Sequence, residues 1–181
     1  MAGSLMIGET LDDENGTSIE NFVGDVVNNI EIGGRNLLAD SKKTITNNTY
    51  PLAKYFYTEA PIEGETYTIS FKASPGTTIE KIGIYNSGGM CNLFTIEAAG
   101  NKVYSGSFVW KVKYTEKGVE KTCSNEYLAL FMMTSKGKDE TNQPISTIEW
   151  IKLEKGNKVT DWTAAPEDIP NNNLIRNSDF T

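Results

Sequence analysis

The chain has 181 residues, of which 38% are hydrophobic and 10% aromatic, enough for one buried core with a small appendage and too few for two full domains. Its formal net charge of −7 argues against a nucleic-acid partner, because phosphate binding depends on clustered Lys and Arg. The sequence contains no histidine, which excludes Ser-His-Asp and Cys-His catalysis and the common zinc sites.

Membrane insertion is not expected. No apolar run approaches the roughly 18 residues that span a bilayer, and the first residues lack the basic and then apolar pattern of a secretion signal. We therefore expect a soluble protein that is synthesised in the cytoplasm. The two cysteines, Cys91 and Cys123, have no metal-ligand spacing and are expected to be free thiols.

A short helix is predicted near the start of the chain. Residues 1–16 are rich in glycine and acidic residues without periodicity, and we expect little order there. Thr17 and Glu20 have the spacing of a capping box, which predicts a helix over residues 17–33. Its apolar positions recur at helical spacing and are Ile19, Phe22, Val23, Val26, Val27 and Ile30. Two hypotheses for this stripe stay open, a parallel coiled coil that joins three protomers or a helix folded against its own domain.

From Asn36 onward the apolar period changes to two, which is typical of strands. The predicted strands cover residues 44–47, 52–59, 66–72, 79–85, 93–97, 103–114 and 127–133, followed by a closing strand that begins near Ile148. This spacing predicts an all-β fold, a jelly-roll-type β-sandwich over residues 34–168 that follows the short N-terminal helix. Strand 66–72 is predicted to have a wet face of Thr68, Ser70 and Lys72. Strand 127–133 is apolar on both faces and is placed in the middle of a sheet.

Two motifs mark the ends of the predicted domain. Residues 33–38 read GGRNLL and are followed by Asp40-Ser41, whereas residues 148–168 read IEWIKLEKGNKVTDWTAAPED. In the second motif Trp162 is predicted to be a structural plug at the edge of the core. Residues 173–178, NLIRNS, echo part of the first motif. We therefore expect residues 169–181 to be a linker and the start of a following module, in a longer modular protein.

Together the two motifs resemble the opening and closing signatures of a family of β-sandwich domains, similar to carbohydrate-binding modules, in tail and receptor-binding proteins of phages and prophages of Gram-positive bacteria. The resemblance implies non-catalytic attachment to a glycan of the host cell wall or cell surface. It also implies a homotrimer in contact with neighbouring tail modules, located in the virion.

Candidate carbohydrate-binding residues are aromatic, because sugars lie on exposed rings through their C–H faces. Strand phase brings five rings into consideration, which are Trp150, Trp110, Tyr55, Tyr57 and Tyr50. For each of them core packing is the competing interpretation, since a tryptophan in a β-sandwich is more often interior. Asn86, Asn92 and Asn125 could bind sugar hydroxyls or simply form turns.

Other kinds of site have weaker support in the sequence. Asp40, Glu154 and Asp161 are candidates for a structural calcium ion, although no D-x-D-x-D-G loop accompanies them, and no other cofactor is expected. One alternative function is a structural spacer or trimerisation module of a tail fibre with no ligand. A second is a carboxylate-dependent glycan hydrolase, which needs two carboxyl groups facing each other across a cleft. No aromatic-flanked carboxylate pair stands out, so we expect no catalysis.

Overall fold

The structure is a computed structural model that describes residues 34–88, 90–134 and 143–169. The predicted lead, the predicted helix with its proposed trimer contacts, and residues 170–181 lie outside these ranges. Within the described ranges the helical content is a single 3₁₀ turn, Pro166–Asp168, and no helix is long and apolar enough to cross a membrane.

The described residues form two four-stranded sheets and a small ribbon. The strands, in chain order, are β1 (Ile45–Asn47), β2 (Pro51–Phe56), β3 (Thr66–Ser74), β4 (Lys81–Asn86), β5 (Cys91–Glu97), β6 (Lys102–Val109), β7 (Lys113–Glu116), β8 (Val119–Thr122), β9 (Tyr127–Met133) and β10 (Ser146–Lys155). The first sheet has the order β1-β10-β3-β6 and the second sheet has the order β2-β9-β4-β5, with all neighbours antiparallel. Strands β7 and β8 pair only with each other among the described residues.

The two sheets bury their alternating apolar side chains against each other. Ile69 of β3 lies opposite Leu153 of β10 in the first sheet, and Ile84 of β4 lies opposite Leu130 of β9 in the second. All four side chains are fully buried in one core. At roughly 1.5–3 kcal/mol for each buried aliphatic side chain, this interface is the main stabilising contact of the fold. The predicted all-β sandwich is confirmed.

A glycine allows the edges of the two sheets to approach closely. A Cβ atom on Gly106 of β6 would lie 2.3 Å from the ring of Phe94 on β5. The Phe94 ring stacks on Phe108 of β6 with centroids 5.8 Å apart. Gly106 therefore makes room for an aromatic contact between the edge strands of opposite sheets.

The predicted strand over residues 103–114 is wrong in its extent. The observed strands β6 and β7 are separated by residues 110–112, and β8 was not predicted. Trp110 leaves the ladder because its backbone pairs elsewhere: its N–H donates to the carbonyl of Glu65 at 2.8 Å, and its carbonyl accepts from the N–H of Gly64 at 3.0 Å. Its ring turns into the core instead of continuing the strand.

The outer face of the first sheet is partly covered, so the predicted wet face of strand 66–72 is also wrong. Thr68 and Ser70 are buried, and Lys72 is half-buried. Residues 156–165, which we term the closing strap, fold back against this face. Thr68 donates its hydroxyl to the carbonyl of Gly156, the first residue of the strap, at 2.7 Å.

The closing strap encloses an ion pair on β10. The Nζ atom of Lys152 lies 3.1 Å from Oε2 of Glu154, and both side chains are 1% exposed. Thr160 donates its backbone N–H and its hydroxyl to the two carboxylate oxygens, at 3.0 and 2.6 Å. The ammonium group donates to the carbonyl of Asp161 at 2.9 Å. Both charges are therefore paired and hydrogen-bonded, as buried charges must be.

Asn36 joins the opening motif to the closing motif. Its Nδ2 donates to the carbonyls of Ile151 and Thr163, both at 3.0 Å, and its Oδ1 accepts from the N–H groups of Leu38 and Leu153, both at 3.2 Å. Asn36 is fully buried. The Asn36 side chain thus hydrogen-bonds to backbone groups of β10 that β1 does not reach, since β1 pairs only with residues 146–148.

The chain enters and leaves the sandwich at the same end. The carboxylate of Asp168 accepts from the backbone N–H groups of Asp40 and Ser41 and from the Ser41 hydroxyl, at 2.7, 2.8 and 2.7 Å. Arg35 also forms an ion pair with Glu167. The opening and closing motifs therefore act as one structural unit.

The two cysteines are free thiols in the structure. Burial, and then the neighbouring Cys123, raise the pKa of Cys91 from 9.0 to about 12. The Cys91 thiol donates to the carbonyl of Lys111 at 3.3 Å.

We expect Cys91 to resist alkylation while the protein is folded. A pKa about three units above the ordinary value lowers its thiolate fraction at pH 8 by roughly a thousandfold. Iodoacetamide labelling followed by mass spectrometry should modify the half-buried Cys123 first, and Cys91 only in urea. Because the pKa of Cys91 is higher in the folded state, the protonated thiol contributes to the free energy of unfolding. This contribution is fully present below pH 9 and is lost as the pH rises toward 12. Equal labelling rates for the two thiols in the folded protein would contradict this expectation.

Candidate functional site

Two of the predicted carbohydrate-binding residues are in the core. Trp110 is 0% exposed and Tyr55 is 1% exposed. Trp110 packs edge-on against Tyr67, with ring centroids 5.2 Å apart. Neither Trp110 nor Tyr55 presents a ring face to solvent, so for both of them the interpretation as core packing is the correct one.

Tyr57 and two of the candidate asparagines hold Trp110 in place. Tyr57 packs edge-on against the Trp110 ring at 5.5 Å and donates its hydroxyl to Oδ1 of Asn86 at 3.2 Å. The indole N–H of Trp110 donates to Oδ1 of Asn125 at 3.0 Å, and Asn86 donates to the same oxygen at 2.9 Å. Asn125 has a φ of 54°, a conformation that asparagine tolerates better than most residues. The polar groups of Tyr57, Asn86 and Asn125 therefore form hydrogen bonds within the protein.

Trp150 lies on the outer face of the first sheet, where it contacts Trp162. Both rings are half-buried, and their centroids are 5.8 Å apart. The indole N–H of Trp162 donates to the carbonyl of Ile151 at 3.2 Å, the carbonyl that Asn36 also uses. Trp162 therefore fastens the closing strap to β10, and Trp150 supports it from the strand.

The three calcium candidates do not form a site. Glu154 is buried against Lys152 and Thr160, whereas Asp40 and Asp161 are exposed. No group of three or more Cys, Asp or Glu side chains that could hold a metal ion occurs in residues 34–88, 90–134 and 143–169.

The second sheet carries a different and larger group of aromatic residues on its outer face. Strand β9 lies between β2 and β4, and the side chains that point away from the core on these three strands include the rings of Phe56, Tyr85, Tyr127 and Phe131. We term this surface the aromatic face, and it consists of Tyr50, Lys54, Phe56, Tyr85, Tyr127 and Phe131.

Phe131 forms the base of one half of the aromatic face. Its ring contacts Tyr50, with centroids 5.1 Å apart, and Tyr85, with centroids 5.0 Å apart and planes at 74°. Phe131 is buried, and the two tyrosines that flank it are half-buried. A Cβ atom on Gly83 would lie 2.6 Å from the Tyr85 ring, so the missing side chain lets this ring lie down on the strand. Tyr50 and Tyr85 are thus placed by close packing.

The other half of the aromatic face contains a cation. The Nζ atom of Lys54 lies 3.6 Å from the ring centroid of Tyr127 and 5.0 Å from that of Phe56. Phe56 is 55% exposed and contacts Tyr127 edge-on at 5.9 Å. A groove of about 240 Å³ runs here, lined by Pro51, Leu52, Ala53, Lys54, Gly88, Tyr127, Ala129 and Phe131.

Among the solved structures that are similar to this chain are two carbohydrate-binding domains. One is a carbohydrate-binding module from Cellvibrio mixtus lichenase 5A in complex with cellotriose, which is 10% identical with a TM-score of 0.34, over 74% of this chain and 94% of that chain. The other is the second N-terminal cellulose-binding domain of β-1,4-glucanase C from Cellulomonas fimi, which is 15% identical with a TM-score of 0.38, over 72% of this chain and 99% of that chain. No protein-family profile matches the sequence, and no curated protein matches it.

Hydrogen-bonding groups lie beside the rings of the aromatic face. Burial, and then the neighbouring Tyr85, raise the pKa of Tyr50 above its ordinary value of 10.0, so this phenol is neutral at neutral pH. Asn92 of β5 lies directly opposite Tyr85 and donates its side-chain amide to the Thr95 hydroxyl at 3.1 Å. Asn92 is exposed, so its side-chain amide lies at the surface beside Tyr85. The surface therefore combines apolar ring faces with neutral donors and acceptors.

Sequence reasoning found one member of the aromatic face, Tyr50, and missed the other five. Tyr55 and Phe56 are consecutive on β2 and point to opposite faces; the sequence candidate is Tyr55, which is buried, whereas Phe56 is exposed. Strand β9 was correctly placed in the middle of a sheet, and its two apolar faces suggested cover on both sides. A useful signal was that the outward positions Tyr127 and Phe131 are aromatic rather than aliphatic.

Proposed function

We propose that this chain is a jelly-roll-type, non-catalytic carbohydrate-binding module of a phage or prophage tail protein, and that its aromatic face binds a glycan of the host cell surface. The observation that carries the proposal is the set of half-exposed rings on one sheet face, beside neutral hydrogen-bonding groups and a groove. Flat apolar rings match the C–H faces of pyranose sugars, and Tyr and Asn groups match their hydroxyls.

Binding by one such surface is weak. The rings lie on an open sheet rather than in an enclosed cavity, so a sugar keeps much of its contact with water. Presentation in several copies, as in a homotrimer, raises the effective affinity without new contacts. The predicted apolar stripe over residues 17–33 would supply such an assembly.

The tail context rests on the two motifs. Asn36, Ser41 and Arg35 of the opening motif contact the closing motif, which gives a physical reason why both would occur together in one family. Entry and exit at the same end suit a module inserted into a longer chain, with neighbouring tail modules and the virion as its place of action.

The proposal is tested by removing single rings. Tyr85→Ala and Tyr127→Ala should each weaken binding to the cognate glycan about tenfold, equivalent to roughly 1.4 kcal/mol. A glycan array would find the ligand, and isothermal titration would give the affinities. Tyr114→Ala is the matched control, because Tyr114 is a half-buried tyrosine on the β7–β8 ribbon and outside the aromatic face.

Two further variants separate the alternatives. Trp150→Ala should leave the affinity unchanged; a large loss would move the site to the first sheet. If no host glycan binds the folded protein, the spacer interpretation replaces this one. Release of reducing ends from host polysaccharide would favour a hydrolase.

A further inference from the structure

Lys54 brings a positive charge to the aromatic face, and the two rings beside it fix its position. The ammonium group lies over the ring of Tyr127 and near that of Phe56, an arrangement that attracts a cation through the negative face of the ring. The residue opposite Lys54 on β9 is Ala129, whose small side chain leaves space for the lysine chain to lie along the sheet. The charge therefore has a defined place before any ligand arrives.

None of the ion pairs of the described residues involves Lys54. It is also the one charged residue among those that line the groove. On β4 of the same sheet Lys81 is paired with Glu97 at 3.2 Å. In a chain with a net charge of −7, a groove whose lining carries a single positive charge is set apart from the rest of the surface.

We propose that the groove selects a glycan that carries an anionic group, a uronate carboxylate or a phosphate, and that Lys54 is the residue that recognises it. The proposal rests on the proposed function and specifies its ligand class. The rings hold the sugar, whereas the ammonium group donates hydrogen bonds to the anion on the side that Tyr127 leaves open. A neutral sugar uses only the rings and the neutral polar groups.

The contribution of Lys54 is modest and sensitive to salt, because the lysine is exposed. We expect an anionic glycan to bind roughly fivefold more tightly than its neutral counterpart at low ionic strength. This preference should fall toward zero when sodium chloride is added, whereas binding of the neutral glycan should stay nearly constant.

The experiment compares paired ligands on paired variants. Each ligand backbone found on an array is used in three forms, with C6 as a hydroxymethyl group, a carboxylate or a phosphate, and affinities are measured by isothermal titration. Lys54→Met should abolish the preference for the charged forms, so that the three forms bind this variant with equal affinity. Lys102→Met is the matched control, since Lys102 also lies over a tyrosine ring, at 5.0 Å from the centroid of Tyr104, but belongs to the first sheet.

The outcomes separate this inference from the proposed function. Binding that Tyr85→Ala weakens but that shows no charge preference, or a preference that survives Lys54→Met, would overturn the inference and leave the glycan-binding function in place. A stronger response to carboxylate than to phosphate, or the reverse, identifies the source of the anion. Failure of every glycan to bind would overturn both.

Discussion

Asn36→Ala should lower the free energy of unfolding by about 3–4 kcal/mol. The substitution removes four hydrogen bonds, two donated and two accepted, and three of them join the opening motif to the closing motif. It leaves buried backbone groups without partners, and each such group costs about 1–3 kcal/mol. Urea denaturation followed by tryptophan fluorescence would measure the loss, since Trp162 lies against the same part of β10.

Asn92→Ala provides the control for this substitution. Asn92 is an exposed asparagine whose amide bonds only to the nearby Thr95, and its replacement should change the unfolding free energy by less than about 0.5 kcal/mol. Asn36→Asp tests the donor half separately, because it keeps an acceptor for Leu38 and Leu153 but loses the donor to Ile151 and Thr163. If Asn36→Ala unfolded within 1 kcal/mol of the parent, the two motifs would not depend on this residue.

The strands could be predicted because alternation is a local property. Tyr67, Ile69 and Phe71 occupy every second position, and all three are buried as expected. The residues Glu116-Lys117-Gly118 also indicate a turn in the sequence. Lys117 and Gly118 both have positive φ in the structure, as a tight hairpin turn requires. The alternation of apolar residues and the preference of a residue for turns both depend on neighbours in sequence, and these can be read directly from the chain.

The contacts that bury the outer face of a strand come from residues that are distant in sequence. The local pattern of the strand therefore does not predict them. Thr68 has the composition of a wet position, but its hydroxyl bonds to Gly156, which lies 88 residues later in the chain. The break at Trp110 has the same origin, because the partner of its backbone is the loop at Gly64 and Glu65. The alternation of apolar residues alone predicts an unbroken strand over residues 103–114.

The candidate site was missed for a related reason. Phe131 and Tyr127 read as core residues of a central strand, and only the structure shows that they lie on the outer face of the second sheet, where Tyr127 is half-buried. Tyr55 and Trp110, by contrast, are candidate surface rings in the sequence, with core packing as the competing interpretation, and both are buried. Strand phase sorts residues into two faces, but the sequence does not say which face is the inner one when both are aromatic.

The second large effect concerns the ion pair beneath the closing strap. Glu154→Gln keeps the shape of the side chain but removes its charge, and leaves the ammonium group of Lys152 buried without a counter-charge. We expect a loss of about 3–5 kcal/mol in the free energy of unfolding, measured by urea denaturation. Lys152→Met should cost a similar amount, because it leaves the carboxylate buried with Thr160 as its remaining partner.

The double variant Lys152→Met/Glu154→Leu distinguishes a stabilising pair from a pair that is costly to break. Replacing both charges with apolar side chains removes the desolvation penalty, so the double variant should recover most of the stability that each single variant loses. The exposed pair Lys81–Glu97 is the control, and Glu97→Gln should cost less than about 0.5 kcal/mol. A double variant as unstable as the sum of the single variants would show that Thr160 and Asp161 need these charges to hold the strap on β10. In that case the strap, and the contact of Trp162 with it, would depend on electrostatics rather than on apolar packing.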